Sequence, residues 1–350
     1  MRAWEKNIRR VVPYVPGEQP KKSNIIKLNT NENPYPPAPG VRKVLREFNT
    51  DRLRLYPDPT IESLVEELAK YYKLDQKQIF VGVGSDDVLA MAYLTFFQPD
   101  KPILFPDITY SFYPVWCDLF RVPYETIPLD EEFRIRPEDY RRDNGGVIIA
   151  NPNAPTSIYE DLSVIEEIIK YNQDSIVIID EAYIDFAGRS AMELIHKYEN
   201  LLVVQTFSKS RSMAGMRIGY ACGNPVLIKA LNDVKYSFNS YTLNQLAIVT
   251  GIEAVKDRAY FNEGINKIVS TRNEAEVKLA SLGFSFPKSG ANFIFATHKT
   301  MSAETLFEEL RKNDIYVRYF KLPRIDNYLR ITIGTDDEMK ILYDFLEKYL

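Results

Sequence analysis

Short, almost wholly apolar runs recur along the chain with helical stretches between them. They are Pro102 to Phe105, Pro123 to Ile127, Gly146 to Ala150, Ser175 to Ile179 and Leu201 to Phe207. Ser111 to Phe120 and Leu162 to Lys170 carry helical spacing in the intervals. A strand without a polar face must be covered on both sides, so this alternation predicts an α/β fold with a mostly parallel sheet and helices on both faces. Such sheets bind ligands at the carboxyl ends of their strands. Polar clusters fall at those ends: Gly84-Ser85, Asn151-Pro152-Asn153, Asp180-Glu181 and Ser208-Lys209.

The chemistry has few possible sources. His196 and His298 are the only histidines, which leaves histidine-based metal sites and Ser-His-Asp catalysis poorly supplied; no metal is expected, and a cofactor is the natural alternative. A net charge of −4 gives no basic footprint for nucleic acid. No apolar run nears the roughly 20 residues that cross a bilayer, and the opening MRAWEKNIRRVV has no signal-peptide core. Cys117 and Cys222 are too few for a disulfide framework and imply a reducing, cytoplasmic setting.

The sequence divides into three parts. Residues 1–48 form an N-terminal segment: loop chemistry at Val12 to Gly17, a short strand at Ile25 to Leu28, then a stiff stretch from Asn29 to Pro39. A large domain is expected over 49–245. It starts with helical spacing at Thr60 to Tyr72, following that at Val41 to Phe48. Gln78 to Asp87 then reads as a strand entering a glycine turn before a helix over Val88 to Phe97, an arrangement that presents free amides and a helix dipole to an anion. A smaller α+β domain is expected over 246–350. A long charged helical stretch, Asn244 to Leu282, leads into Asn292 to Ala296, helix Ala303 to Asn313, strands Tyr316 to Tyr319 and Tyr328 to Gly334, and helix Asp336 to Tyr349.

Lys209 follows directly on a buried strand, where desolvation disfavours an ammonium and an amine can attack a carbonyl. Arg217 offers a planar fork for a phosphate or carboxylate, bracketed by Gly215 and Gly219. Asp180 ends another buried strand, as a cap or as the partner of a cationic ring nitrogen. With an anion cradle at Gly84 to Asp86, Ser208 and Arg217, these are the parts needed to hold pyridoxal 5′-phosphate.

The pattern D-E-A-Y from Asp180, followed by S-K-x-x-x-M-A-G-x-R-x-G-Y from Ser208, resembles the fold-type-I pyridoxal-phosphate aminotransferases over the whole chain. V-P-Y-V-P-G, L-N-T-N-E-N-P, L-Y-P-D-P and L-R-I-T-I-G-T are similar, more narrowly, to the histidinol-phosphate aminotransferases. The resemblance implies a seven-stranded-type sheet with a smaller C-terminal domain. It also implies Lys209 as the Schiff-base lysine and later proton carrier, Asp180 on the pyridinium nitrogen, Tyr183 on the phenolic oxygen and Tyr110 stacked on the ring. Ser85, Asp86, Ser208 and Arg217 would hold the phosphate, with Tyr56 reaching it from the other subunit of a homodimer whose N-terminal arms pack on the partner and on the small domain. Arg330 would grip a substrate anion, and Tyr14, Asn31 and Arg318 would complete the substrate site.

The implied reaction is transfer between L-histidinol phosphate and 2-oxoglutarate by a ping-pong cycle in histidine biosynthesis. The alternatives are an aromatic-amino-acid aminotransferase and a threonine-phosphate decarboxylase of the same fold. One position departs from the family's N-P-N-N-P-T-G: Asn153-Ala154-Pro155-Thr156-Ser157 carries alanine where an asparagine usually bonds the phenolic oxygen. Either Asn153 turns in, or Tyr183 alone bonds that oxygen.

Overall fold

Successive side chains along a strand face opposite sides of its sheet, and this period of two divides the large interior into two cores. The computed structural model describes residues 2–350. The chain begins with β1 (Ile26–Lys27), α1 (Pro39–Glu47), α2 (Glu62–Tyr72), β2 (Ile79–Gly82), α3 (Ser85–Phe96), β3 (Ile103–Pro106), α4 (Tyr113–Phe120) and β4 (Tyr124–Ile127). It continues through β5 (Gly146–Ala150), α5 (Leu162–Tyr171), β6 (Val177–Asp180), β7 (Leu201–Thr206), β8 (Gly219–Gly223) and α6 (Pro225–Phe238). The remainder is α7 (Gln245–Lys256), α8 (Arg258–Ser281), β9 (Phe284–Ser285), β10 (Phe293–His298), α9 (Ala303–Lys312), β11 (Ile315–Tyr316), β12 (Arg318–Tyr319), β13 (Leu329–Thr332) and α10 (Asp336–Tyr349).

The main sheet has seven strands in the order β2-β8-β7-β6-β5-β3-β4. All neighbours from β7 to β4 are parallel, while β8 runs antiparallel to both β2 and β7. Ile148, Ile178 and Val204 pack with Leu89, Trp116 and Leu231 of α3, α4 and α6 on one face. Ile149, Ile179 and Val203 pack with Leu64, Ile165 and Ala247 of α2, α5 and α7 on the other. Each such aliphatic side chain contributes about 1.5–3 kcal/mol on burial. A third core unites α8, α9, α10, β10 and β13 and takes in Leu28 and Tyr183 from outside that unit.

A second sheet has the antiparallel order β12-β13-β10-β9. The N-terminal chain joins this C-terminal unit. β1 pairs in parallel with β11, and Leu28 is held at both backbone groups, its N–H donating to Tyr316 O (2.7 Å) and its carbonyl accepting from Thr332 N (3.0 Å).

Three elements differ from their sequence expectation. The Asn244 to Leu282 stretch is two helices, because the Asp257 side chain accepts from Tyr260 N and starts α8 afresh. The strand expected over Tyr316 to Tyr319 is two short strands that pair on different partners, β1 and β13. Helix α3 begins at Ser85 rather than Val88, since Gly84 at φ +87° turns directly into it.

Candidate active site

A cavity of about 740 Å³ lies beyond the carboxyl ends of the central strands. Asp180, Ser208 and Lys209 line it from the main sheet, Arg318 and Arg330 from the C-terminal unit, and Thr30 and Asn31 from the N-terminal segment. A volume between roughly 300 and 1,000 Å³ suits a cofactor with a small substrate.

Asp180 forms the floor. It is buried, its Oδ2 accepts from the Tyr113 hydroxyl at 2.9 Å, and its Oδ1 has no partner. Burial pushes its carboxyl up to about 6, against the lowering effect of the Tyr113 hydrogen bond. A buried carboxylate oxygen without a partner is costly unless a cationic or donor group lies close to the carboxylate. Lys209, half-buried, donates from Nζ to Thr30 O at 3.1 Å and sits 5.8 Å from the Tyr183 ring centre.

The anion cradle forms at the start of α3. Gly84 offers the first turn no side-chain cap, so the leading amides of the helix are free for a ligand. The cradle is tightly built: a Cβ on Gly84 would lie 2.7 Å from Arg217 Nη2, and one on Gly219 would lie 2.3 Å from Ser85 N. Arg217 ion-pairs with Asp86 (3.1 Å), whose other oxygen accepts from Tyr110 (2.9 Å). Ser208 Oγ accepts from Thr206 Oγ1 at 3.0 Å beside them.

The opposite wall is cationic. Arg330 Nη2 donates to Asn29 O (2.9 Å), its buried Nε has no partner, and among the described residues it has no carboxylate partner. Phe293 and Phe320 flank the guanidinium at 5.3 and 5.5 Å, and burial lowers its pKa. Arg318 reaches back to Val15 O and Pro16 O, folding the arm over the cavity. Tyr14 stacks on Phe112 at 4.5 Å and stands 6.2 Å from Tyr110.

Most of the residues expected from the sequence converge here, with two exceptions, Asn153 and Tyr56. Asn153 does not turn in: Oδ1 accepts from Thr109, and Nδ2 donates to Ile108 O and Thr156 Oγ1, while Ala154 lines the cavity. Tyr56 lies outside its own cavity, 80% exposed and stacked on Tyr241 at 4.6 Å. Glu181 faces away from Asp180, as the two-residue period requires. Two features were not anticipated. Tyr113, the first residue of α4, meets Asp180 and touches the Tyr110 ring edge-on at 5.6 Å. Arg324 latches the loop after β12 to Asp107 (3.0 Å), Leu129 O and Asp130 O.

A strand-end cavity with a lysine, an unpartnered buried aspartate and a helix N-terminus is the arrangement of an enzyme that works through an anionic, cationic-ring cofactor. The chain belongs to the class I and II aminotransferase family, whose model matches residues 23–346. Within that family it is similar to the histidinol-phosphate aminotransferase of Clostridium acetobutylicum, 53% identical over 345 residues that span 99% of this chain and 97% of that one. The Lactococcus lactis subsp. lactis enzyme of the same name is 49% identical over 348 residues, 99% and 97% of the two chains.

Among solved structures, a histidinol-phosphate aminotransferase from Clostridium acetobutylicum aligns with TM-score 0.84 and 25% identity, covering 92% of this chain and 98% of that one. The Sinorhizobium meliloti enzyme of that name, in complex with pyridoxal-5′-phosphate, shares the fold at TM-score 0.85 and 23% identity, over 92% and 89% of the chains. The residues present fit that cofactor: Asp180 is a buried carboxylate at the cavity with one oxygen the fold leaves unpartnered, and the Gly84–Gly219 cradle leaves amides for a phosphate. No helix among the described residues is long and apolar enough to cross a membrane.

Proposed function

We propose that this chain is a pyridoxal-phosphate-dependent histidinol-phosphate aminotransferase, exchanging an amino group between L-histidinol phosphate and 2-oxoglutarate. The observation that carries the reading is Asp180, a buried carboxylate with one unpartnered oxygen, lining the same cavity as Lys209; the full-length similarity to enzymes of that name supports the substrate branch. Bound pyridoxal phosphate supplies an electron-withdrawing cationic ring that acidifies the substrate's Cα–H bond.

The residues divide the work. Asp180 pairs with the ring nitrogen and keeps it protonated, since a carboxylate in a dry site favours the cation beside it. The amides of Ser85 and Asp86, Ser208 and Arg217 hold the phosphate, and Tyr110 covers a ring face. Lys209 would anchor the cofactor and hold and move a proton at Nζ. Tyr183 donates to the phenolic oxygen. Arg330, a buried cation without an anion, takes the 2-oxoglutarate carboxylate, while Arg318 and Tyr14 face the phosphate of the other substrate. The protein works as a homodimer in which the exposed Tyr56 completes the partner's phosphate site. A cytoplasmic setting fits the free, buried Cys117 and Cys222.

A half-reaction tests this reading. L-histidinol phosphate alone bleaches the visible band of the reconstituted enzyme, and 2-oxoglutarate restores it. Bleaching by phenylalanine but not by histidinol phosphate overturns the substrate, and release of carbon dioxide marks a decarboxylase instead.

A further inference from the structure

Ala154 removes a hydrogen-bond donor from the side of the cavity where Tyr183 stands. Three hydrogen bonds fix what the Tyr183 hydroxyl does in its place. The Asn31 N–H donates to Thr332 Oγ1 (3.0 Å), so that oxygen keeps its own proton to give, and it gives it to Asn31 Oδ1 (3.0 Å). This sets the orientation of the Asn31 amide, whose Nδ2 donates to the Tyr183 hydroxyl oxygen at 3.0 Å. Tyr183 therefore accepts from Asn31, and no acceptor among the described residues takes its proton. Both Asn31 and Tyr183 line the cavity.

The arrangement is held firmly. Asn31 and Thr332 are buried, and Asn31 O accepts from Asn292 Nδ2 at 3.0 Å. Asn31 is kept at φ +56°, a conformation uncommon for a residue with a side chain. Hydrogen bonds in series polarise one another, so a tyrosine that accepts from an amide is a stronger donor at its other side.

We infer that Asn31, oriented by Thr332, is a positioning residue that aims and strengthens Tyr183 as the donor to the cofactor's phenolic oxygen, in place of the donor absent at Ala154. The inference rests on the pyridoxal-phosphate reading above. A donor to the phenolic oxygen stabilises its anion and lowers the proton affinity of the Lys209 nitrogen that shares a proton with it.

The test is a pH titration of the visible band of the pyridoxal-phosphate holoenzyme. Tyr183→Phe raises the midpoint; Asn31→Ala and Thr332→Val raise it less, by roughly 0.5–1 pH unit. Thr332→Ser, which keeps the hydroxyl, retains the wild-type midpoint, and Ala154→Asn, which restores a donor, lowers it. A wild-type midpoint in both Asn31→Ala and Thr332→Val, with Tyr183→Phe shifted, overturns the inference, as does an unshifted Tyr183→Phe. Should Asn31→Ala fail to fold, Thr332→Val and Thr332→Ser decide by the same criterion. A wild-type protein that forms no visible band overturns the cofactor reading instead, which separates the two failures.

Discussion

Asp180 and Glu181 are neighbours at the end of β6, both buried and both with carboxyls pushed up by desolvation, to about 6 and about 7. Their surroundings are opposite. Glu181 is finished by the fold: it accepts from Ser190 Oγ (2.5 Å), Ala191 N (2.6 Å) and Gln205 Nε2 (2.8 Å). Gln205 in turn accepts from Tyr72 and Tyr220. Asp180 accepts from the Tyr113 hydroxyl on one oxygen, while its other, buried oxygen has no partner, and the residue lines the cavity. Identical chemistry one residue apart thus separates scaffold from site, and the criterion is whether the protein itself completes the hydrogen bonds.

The largest effect that bears on this contrast is catalytic. Asp180→Ala lowers kcat by roughly a thousandfold while circular dichroism and the melting temperature show an intact fold. Glu181→Ala does the reverse: three donors lose their acceptor, stability drops by about 3 kcal/mol or more in urea, and turnover per folded molecule stays within tenfold of wild type. Full stability with lost turnover in Glu181→Ala would break the comparison.

The pH dependence of stability sharpens it. The folded, cofactor-free protein holds the Asp180 proton more tightly than the unfolded chain, with a carboxyl raised from 3.8 to about 6. Stability is therefore lost as pH rises through that interval and stays lost above it. Asp180→Asn removes that cost, stabilising the cofactor-free protein by about 3 kcal/mol at pH 8 and about half as much at pH 5. Urea titrations at the two pH values measure this, and an equal gain at both refutes the assignment. The smallest effect belongs to the single donor that Asp180 has. Tyr113→Phe weakens pyridoxal-phosphate binding by about fivefold, read as a dissociation constant by fluorescence; unchanged affinity would show that Tyr113 only fills space.

The sheet was legible because its central strands are apolar on both faces, and Lys209, Asp180 and Arg217 because they stand near strand ends within spaced motifs. Strand β8 carries no signal of this kind: Gly-Tyr-Ala-Cys-Gly, bounded by glycines, has none of the β-branched residues that mark β5, β6 and β7. The break at Asp257 was hidden because a capping aspartate looks like any other charge in a polar helical run. Which face a strand-end residue takes depends on register, which the cluster Asp180-Glu181 does not disclose; the same holds for Asn153, whose amide is used up inside its own turn. Bonds such as Asn31 to Thr332 join residues 301 positions apart and leave no local trace.

That separation carries a consequence for the order of assembly during synthesis. The segment that roofs the cavity leaves the ribosome early, yet its anchors are Tyr316, Asn292 and Thr332. Domains fold as units as they emerge, amino-terminal first, so the seven-stranded sheet can form while residues 26–31 still lack these three anchors. Only when β10, β11 and β13 exist can residues 26–31 take their full set of bonds, and the site closes after those strands have formed.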